Sequence, residues 1–304
     1  MRILSLLALA ACAAAAPAAP LELRDGDRVV FVGNTLIERE QQHGYWELAL
    51  TARFPGKKIT FRNLGWSGDT VFGEARAGFG SPAEGYRQLI EHTLALKPTV
   101  LFVAYGTNES FQGAAGLPRF TRQLETLLGT LEKTGAKIIL LGPLRQADMG
   151  RPLPDPARNN QNLRLYADAI REVAQKRKHD YVDLYERLGD LTKVDPPATY
   201  NGIHLTKHGY RWSALELQKA LGLAPADARL EDGSESAARE KLRRLIVEKN
   251  ELYFHRWRPQ NVTYLFGFRK HEQGNNAVEI PKFDPLIEVK EKEIHDLARS
   301  LSAR

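Results

Sequence analysis

The chain has 304 residues and carries 43 Lys and Arg against 37 Asp and Glu, a net charge of +6. This length allows one large domain or two smaller ones, with ample core. Acidic and basic residues are interleaved along the chain without a basic run. Because phosphate binding usually needs a clustered basic face, this composition argues against nucleic acid as a partner.

The first twenty residues have the pattern of an export signal. Met1 and Arg2 give a short positive start, and an apolar, Ala-rich stretch follows to Pro20. The stretch is too short to span a membrane and predicts a secretory signal peptide over residues 1–20. The sequence before Cys12 also resembles a bacterial lipobox, in which Cys12 would be lipidated. We therefore expect export to the periplasm, cell envelope or medium, either as a freely secreted protein or with a lipid anchor at Cys12, which would then be its only membrane contact.

The next two hundred residues alternate predicted strands and helices, which is the signature of an α/β protein. In chain order these elements are a strand at 28–32, helix 42–53, strand 59–62, helix 82–96, strand 99–104, helix 117–133, strand 136–141, helix 157–177, strand 181–184 and helix 208–221. They predict a doubly wound, flavodoxin-like sheet of five parallel strands within a domain at residues 21–223. Residues 224–304 are predicted as an extension with charged helices at 236–252 and 290–300 and an aromatic, basic segment between them.

Polar motifs follow four of the predicted strands, at the sheet edge where open parallel sheets bind ligands. They are Gly33-Asn34-Thr35, then Asn63-Leu64-Gly65-Trp66-Ser67-Gly68-Asp69-Thr70, then Gly106-Thr107-Asn108-Glu109, and last Asn201-Gly202-Ile203-His204. Each motif alone would be an ordinary turn. Their convergence on one edge predicts a functional site.

The spacing and content of these motifs resemble those of the SGNH (GDSL-type) hydrolase family over residues 28–221. The resemblance implies an ester hydrolase acting on an acyl or acetyl ester, possibly of a carbohydrate. Carried over by position, Thr35 takes the place of the nucleophilic Ser, and Asn201 that of the triad Asp. Gly68 and Asn108 are the implied oxyanion donors and His204 is the implied base. The expected Gly-Asp-Ser reads Gly33-Asn34-Thr35 here.

Thr35 and Asn201 leave two functions open. Thr35 keeps a hydroxyl, although its methyl group crowds the path of attack, and the alternative is that it caps a helix. Asn201 can hold the imidazole of His204 but cannot offset its positive charge. Asp195 and Glu109 are candidates for a compensating acid by position alone, and we favour a solvated surface carboxylate for both. The chain is therefore either a weak ester hydrolase or an inactive protein that binds an acetylated or polyhydroxylated ligand.

We expect no cofactor, metal ion or nucleic acid. His208 follows His204 by four residues, but no third ligand stands at a useful spacing, and no Gly-x-Gly-x-x-Gly motif follows the first strand. In the extension, Trp257, Phe266 and Phe268 are interleaved with basic residues. The segment either packs its aromatic side chains on the main domain, which we favour, or forms a flap over the site. The extension could also dock a protein partner.

Overall fold

The computed structural model describes residues 20–224, 237–272, 274 and 276–302. The predicted signal peptide, Cys12 included, lies outside the described residues. Within the described ranges, no helix is long and apolar enough to cross a lipid bilayer.

A single parallel sheet forms the centre of the molecule, with its strands in the order β2-β1-β3-β4-β5. The strands are β1 (Arg28–Gly33), β2 (Thr60–Gly65), β3 (Val100–Ala104), β4 (Lys137–Leu141) and β5 (Asp180–Val182). All five residues of β3 are buried, as expected for a central parallel strand covered on both faces. The predicted five-stranded doubly wound fold is confirmed, and the strand order reverses between β1 and β3, where such sheets bind ligands.

Helices cover both faces of the sheet. They are α1 (Thr35–His43), α2 (Tyr45–Arg53), α3 (Pro82–Ala95), α4 (Gly113–Leu131), α5 (Ala157–Arg177), α6 (Leu184–Leu188), α7 (Lys207–Ala220), α8 (Ala237–Trp257), α9 (Val262–Leu265) and α10 (Phe283–Ser302). Successive β1 residues supply opposite cores: Val29 and Phe31 face the side of α2 and α7, and Val30 and Val32 face α4 and α5. This alternation is the period of two that a strand imposes.

The helix predicted at 42–53 is wrong in its start. Helical structure begins at Thr35, directly after the first strand, and breaks at Gly44, which has φ of 69°. Gly44 ends α1 in the left-handed conformation that glycine adopts without a steric cost. Glu40 reinforces the break, because its carboxylate accepts hydrogen bonds from the amides of Gly44 and Trp46. Burial raises the pKa of Glu40 to about 8.

The carboxy-terminal extension packs on the α/β domain through α8. The ammonium group of Lys249 is buried and lies 2.7 Å from a carboxylate oxygen of Glu47 on α2. The same ammonium donates to the carbonyl of Phe61 in β2, at 3.2 Å. α10 lies against α8, so the two predicted extension helices form one layer over α1, α2 and the edge strand β2. This layer covers the edge of the sheet that β2 would otherwise expose.

Candidate active site

Thr35 stands at the junction of β1 and α1. Asn34 is the residue that caps α1, because its side-chain oxygen accepts the amide of Leu36 at 3.1 Å. The hydroxyl oxygen of Thr35 instead accepts the amide of Gly68 at 3.1 Å. Thr35 is therefore not the helix cap that the alternative interpretation required, and its hydroxyl is turned toward the loop after β2.

Gly68 belongs to that loop and has φ of 76°. A Cβ atom at this position would meet nothing within 4 Å, so backbone conformation, and not space, favours glycine here. The amide of Trp66 donates to the carbonyl of Gly33 at 3.0 Å, which fixes the start of the loop against β1. These contacts turn the Gly68 amide toward Thr35.

Asn108 reaches the same loop from the segment that follows β3. Its side-chain NH2 donates to the carbonyl of Asp69 at 2.7 Å. The neighbouring Glu109 accepts the amides of Val71 at 2.8 Å and Gly106 at 2.9 Å. Burial raises the pKa of Glu109 to about 7. Glu109 thus ties the loops after β2 and β3 together through backbone amides.

A buried ion pair supports the loop from beneath. The carboxylate of Asp69 accepts the Nε of Arg76 at 2.7 Å and the hydroxyl of Tyr105 at 2.9 Å, and both charged side chains are fully buried. Arg76 also donates to the carbonyl of Leu64 at 2.8 Å. The residue after Gly68 is therefore anchored in the core.

The loop that carries His204 is shaped by Asn201. The side-chain oxygen of Asn201 accepts the backbone amides of Ile203 at 3.2 Å and His204 at 2.9 Å. Gly202 has φ of 82°, and a Cβ atom there would lie 2.5 Å from the carbonyl oxygen of Ala147. The side chain of Asn201 thus stabilises the backbone conformation of this loop.

Three of the predicted site residues, Thr35, Asn108 and His204, line one cavity at the carboxyl edge of the sheet. Gly68 joins them through its hydrogen bond to Thr35. Sequence reasoning missed several other lining residues, which are Leu144, Arg145, Gln146, Leu205 and Tyr210. Of these, residues 144–146 follow β4, and extending the sheet-edge rule to the predicted strand at 136–141 would have found them.

Neither sequence-predicted acid is placed as a partner of His204. Glu109 is engaged by the two backbone amides described above. Asp195 is exposed, and its charge acts on His208, whose pKa is lowered overall by burial. His204 therefore works in an environment different from that of an Asp-paired histidine.

Burial lowers the pKa of His204, and the positive charge of Arg39 lowers it further. The Arg39 guanidinium donates to the hydroxyl of Tyr200, whose ring centre lies 5.9 Å from that of His204. His204 is consequently a neutral imidazole near pH 7, the form that can accept a proton.

Arg39→Gln is expected to move the acid limb of the rate–pH profile to higher pH, because removing the guanidinium raises the pKa of His204 toward its ordinary value. Below that pKa the imidazole is protonated and cannot act as a base. The acid limb is obtained from the pH dependence of kcat/KM for an aryl acetate. NMR titration of the His204 ring gives its pKa independently of activity. Arg122→Gln, on the far helix α4, should change neither. An unchanged or lowered His204 pKa in Arg39→Gln contradicts this prediction.

The fold and the convergence of hydroxyl, imidazole, amide and backbone donor define the class of ester hydrolases built on a flavodoxin-like sheet. The model of the GDSL-like lipase/acylhydrolase family matches residues 31–212, and the chain belongs to that family. No curated protein matches the chain.

Several solved structures share the fold. The acetylxylan esterase Axe2 of Geobacillus stearothermophilus is 17% identical, with a TM-score of 0.54 over 69% of this chain and all of that one. LAE5, an enzyme from the metagenome of Lake Arreo, is 21% identical, with a TM-score of 0.52 over 66% of this chain and 97% of its own. BT4096, a gut microbial diltiazem-metabolizing enzyme, is 14% identical, with a TM-score of 0.65 over 91% of this chain and 96% of its own. The 91% of this chain that BT4096 matches is more than the α/β domain alone, so the match includes part of the extension.

Proposed function

We propose that the protein hydrolyses acyl esters through Thr35 as nucleophile and His204 as general base. The observation that carries this proposal is the 3.1 Å contact between the Thr35 hydroxyl oxygen and the Gly68 amide, beside the cavity that His204 and Asn108 line. A donor next to the attacking oxygen stands where an oxyanion would form.

The reaction follows from these positions. The Thr35 oxygen attacks the carbonyl carbon of the ester, and its proton passes to the neutral imidazole of His204. The carbonyl oxygen becomes an oxyanion that the Gly68 amide and the Asn108 side chain stabilise. Collapse of this intermediate expels the alcohol, which takes the proton from His204. Water then attacks the acyl-Thr35 ester by the same route and regenerates the hydroxyl.

An acetyl ester on a carbohydrate is the substrate we propose, supported by the likeness to an acetylxylan esterase and by the small cavity. The rate should be low for two reasons. The Thr methyl group restricts χ1, and Asn201 leaves the imidazolium without an opposing charge. In serine proteases the corresponding Asp-to-Asn change costs about 10⁴-fold in kcat.

The second candidate function is binding without turnover. Two sets of hydrogen bonds favour it. The Asn201 side-chain oxygen accepts backbone amides, and the Gly68 amide donates to the Thr35 hydroxyl oxygen. In that case the cavity holds an acetylated or polyhydroxylated ligand, or the exposed Phe268 of the extension, at 82% relative accessibility, contacts a partner protein.

Hydrolysis of an aryl acetate separates the two functions. The native protein should turn it over, and Thr35→Ser combined with Asn201→Asp should be faster by about 10²- to 10⁴-fold, because an opposing carboxylate returns beside His204. Asp at 201 retains an oxygen for the two loop amides, so the fold should be kept. Absence of turnover in the native protein, with a gain in the double variant, indicates a binding protein with an intact pocket. Absence of turnover in both contradicts the proposed reaction.

A further inference from the structure

The extension meets the loop after β2 just past the end of α8, at Trp257 and Arg258. The Arg258 guanidinium lies 2.6 Å from a carboxylate oxygen of Glu38 on α1. Its central carbon also lies 3.5 Å from the centre of the Trp66 ring. The neighbouring Trp257 meets the same ring at 5.9 Å, edge to face. One residue of the extension therefore contacts both α1 and the loop after β2.

Glu38 links this contact to the residue before Gly68. One of its carboxylate oxygens accepts the amide of Ser67 at 2.7 Å, and the other accepts the Ser67 hydroxyl at 2.8 Å. The backbone of Glu38 also lies close to β2, since a Cβ atom on Gly65 would come within 2.1 Å of the Glu38 nitrogen. Gly65 therefore packs closely on the Glu38 backbone, and Ser67 is hydrogen-bonded to the Glu38 side chain.

These contacts have the geometry of a support for the Gly68 amide. Gly68 is exposed, and open space surrounds the position of a Cβ atom there, so packing around Gly68 itself does not fix the amide. Its direction depends on the residues on either side, with Ser67 held by Glu38 and Asp69 held by Arg76. Arg258 in turn fixes the Glu38 carboxylate and covers Trp66.

We propose that Arg258 is a positioning residue, through which the extension holds Glu38 and Trp66 so that the Gly68 amide stays aimed at Thr35. This role rests on the proposed hydrolase function for its effect on rate, but the ordering of the loop does not. The side chains of Arg258 and Glu38 are only 25% and 17% exposed, so their ion pair is weakly screened. Stacking of the guanidinium on an indole ring adds to this contact.

The proposal is tested with the full-length protein and four variants. Arg258→Met removes the charge and keeps an apolar stem, Arg258→Lys keeps the charge and loses the planar fork, and Glu38→Ala removes the acceptor for Ser67. Arg256→Gln is the matched control. Arg256 lies two residues from Arg258 but pairs with Asp284 of α10 at 2.8 Å, within the extension.

Amide hydrogen exchange is the readout that needs no activity. Arg258→Met is expected to speed exchange at Ser67 and Gly68 about tenfold, Glu38→Ala more, and Arg258→Lys less, while Arg256→Gln leaves it unchanged. Exchange in other segments should stay as in the native protein. Unchanged exchange at Ser67 and Gly68 in a folded Arg258→Met variant, or an equal change in Arg256→Gln, overturns the proposal. If Arg258→Met fails to fold, Arg258→Lys and Glu38→Ala decide in the same way.

Kinetics give the second readout. Arg258→Met should lower kcat for an aryl acetate about tenfold and leave KM within about twofold, since the support acts on a donor used in the transition state. Loss of a whole oxyanion donor costs about 10²- to 10³-fold, which bounds the effect from above. A changed KM with unchanged kcat contradicts the positioning role. A native protein without turnover defeats the proposed function, and the exchange experiment still decides the role of Arg258.

Discussion

Thr35→Ala is expected to lower the rate of aryl acetate hydrolysis by at least about 10²-fold. An intact nucleophile–base–acid set contributes about 10⁶-fold in a serine protease, and loss of the acid's charge removes about 10⁴-fold of it. About 10²-fold therefore remains for a hydroxyl and an imidazole that work without that charge. His204→Ala should cost about as much, and the double variant little more, because the two groups act as one unit.

The matched control for Thr35→Ala is Thr126→Ala. Thr126 is an exposed threonine on α4 whose hydroxyl donates to the carbonyl of Arg122 at 2.9 Å. Since Asn34 caps α1, removal of the Thr35 hydroxyl should leave the melting temperature close to that of the native protein. Activity that survives in Thr35→Ala would show that another group attacks the ester. Equal losses in both variants would point to a general effect on folding.

Asp69→Leu is expected to lower the free energy of unfolding by about 3–5 kcal/mol, because it leaves the buried guanidinium of Arg76 without its counter-ion. The two side chains are fully buried, so water does not screen the loss. A domain of this kind is stabilised by only about 5–15 kcal/mol in total, so the variant should be near its folding limit. Urea denaturation measures the change.

A second substitution separates charge from packing. Arg76→Met in the Asp69→Leu background should recover much of the lost stability, since replacing a whole buried pair by apolar side chains is often nearly neutral. Asp296→Ala is the surface control. Asp296 pairs with Lys292 at 2.6 Å, with both side chains more than half exposed, and its loss should leave the free energy of unfolding close to that of the native protein. A cost below about 1 kcal/mol for Asp69→Leu, or no recovery in the double variant, contradicts this account.

The fold could be predicted from the sequence because its strands are short, apolar and separated by helices with clear ends. The predicted helix at 157–177 coincides with α5, which begins directly after Pro156. The start of α1 was missed because Glu38, Arg39 and Glu40 give no apolar stripe at helical spacing. Asn34 marks the start of α1 as its capping residue. The motif Gly33-Asn34-Thr35 equally fits a functional loop, so the sequence does not distinguish the two.

The sequence predicts which residues line the site but not how their atoms contact one another. The rule for parallel sheets gives the residues that follow each strand, and it placed Thr35, Asn108 and His204 in one cavity. It says nothing about which atoms meet. The use of Asn201 on two backbone amides and the contact of Arg258 with Glu38, 220 positions away, depend on loop geometry and on packing of the extension.

The extension also differs from its sequence-based interpretation in detail. Trp257 packs on the main domain, against Trp66 and His92, as the packing interpretation expects. Arg258 does not point outward, however, and Phe268 remains exposed. A count of aromatic and basic residues cannot distinguish these cases, because an arginine can stack on an indole as readily as it meets solvent.

The identity of the attacking group is the central claim, and covalent labelling tests it most directly. A fluorophosphonate ester reacts with an activated hydroxyl by displacement of fluoride, so treatment of the native protein and peptide mapping by mass spectrometry should place the phosphonyl group on Thr35. His204→Ala should label far more slowly, and Thr35→Ala should carry no label. A phosphonyl group on any other residue would contradict the account. So would protein that is labelled at Thr35 and still hydrolyses aryl acetate at the native rate.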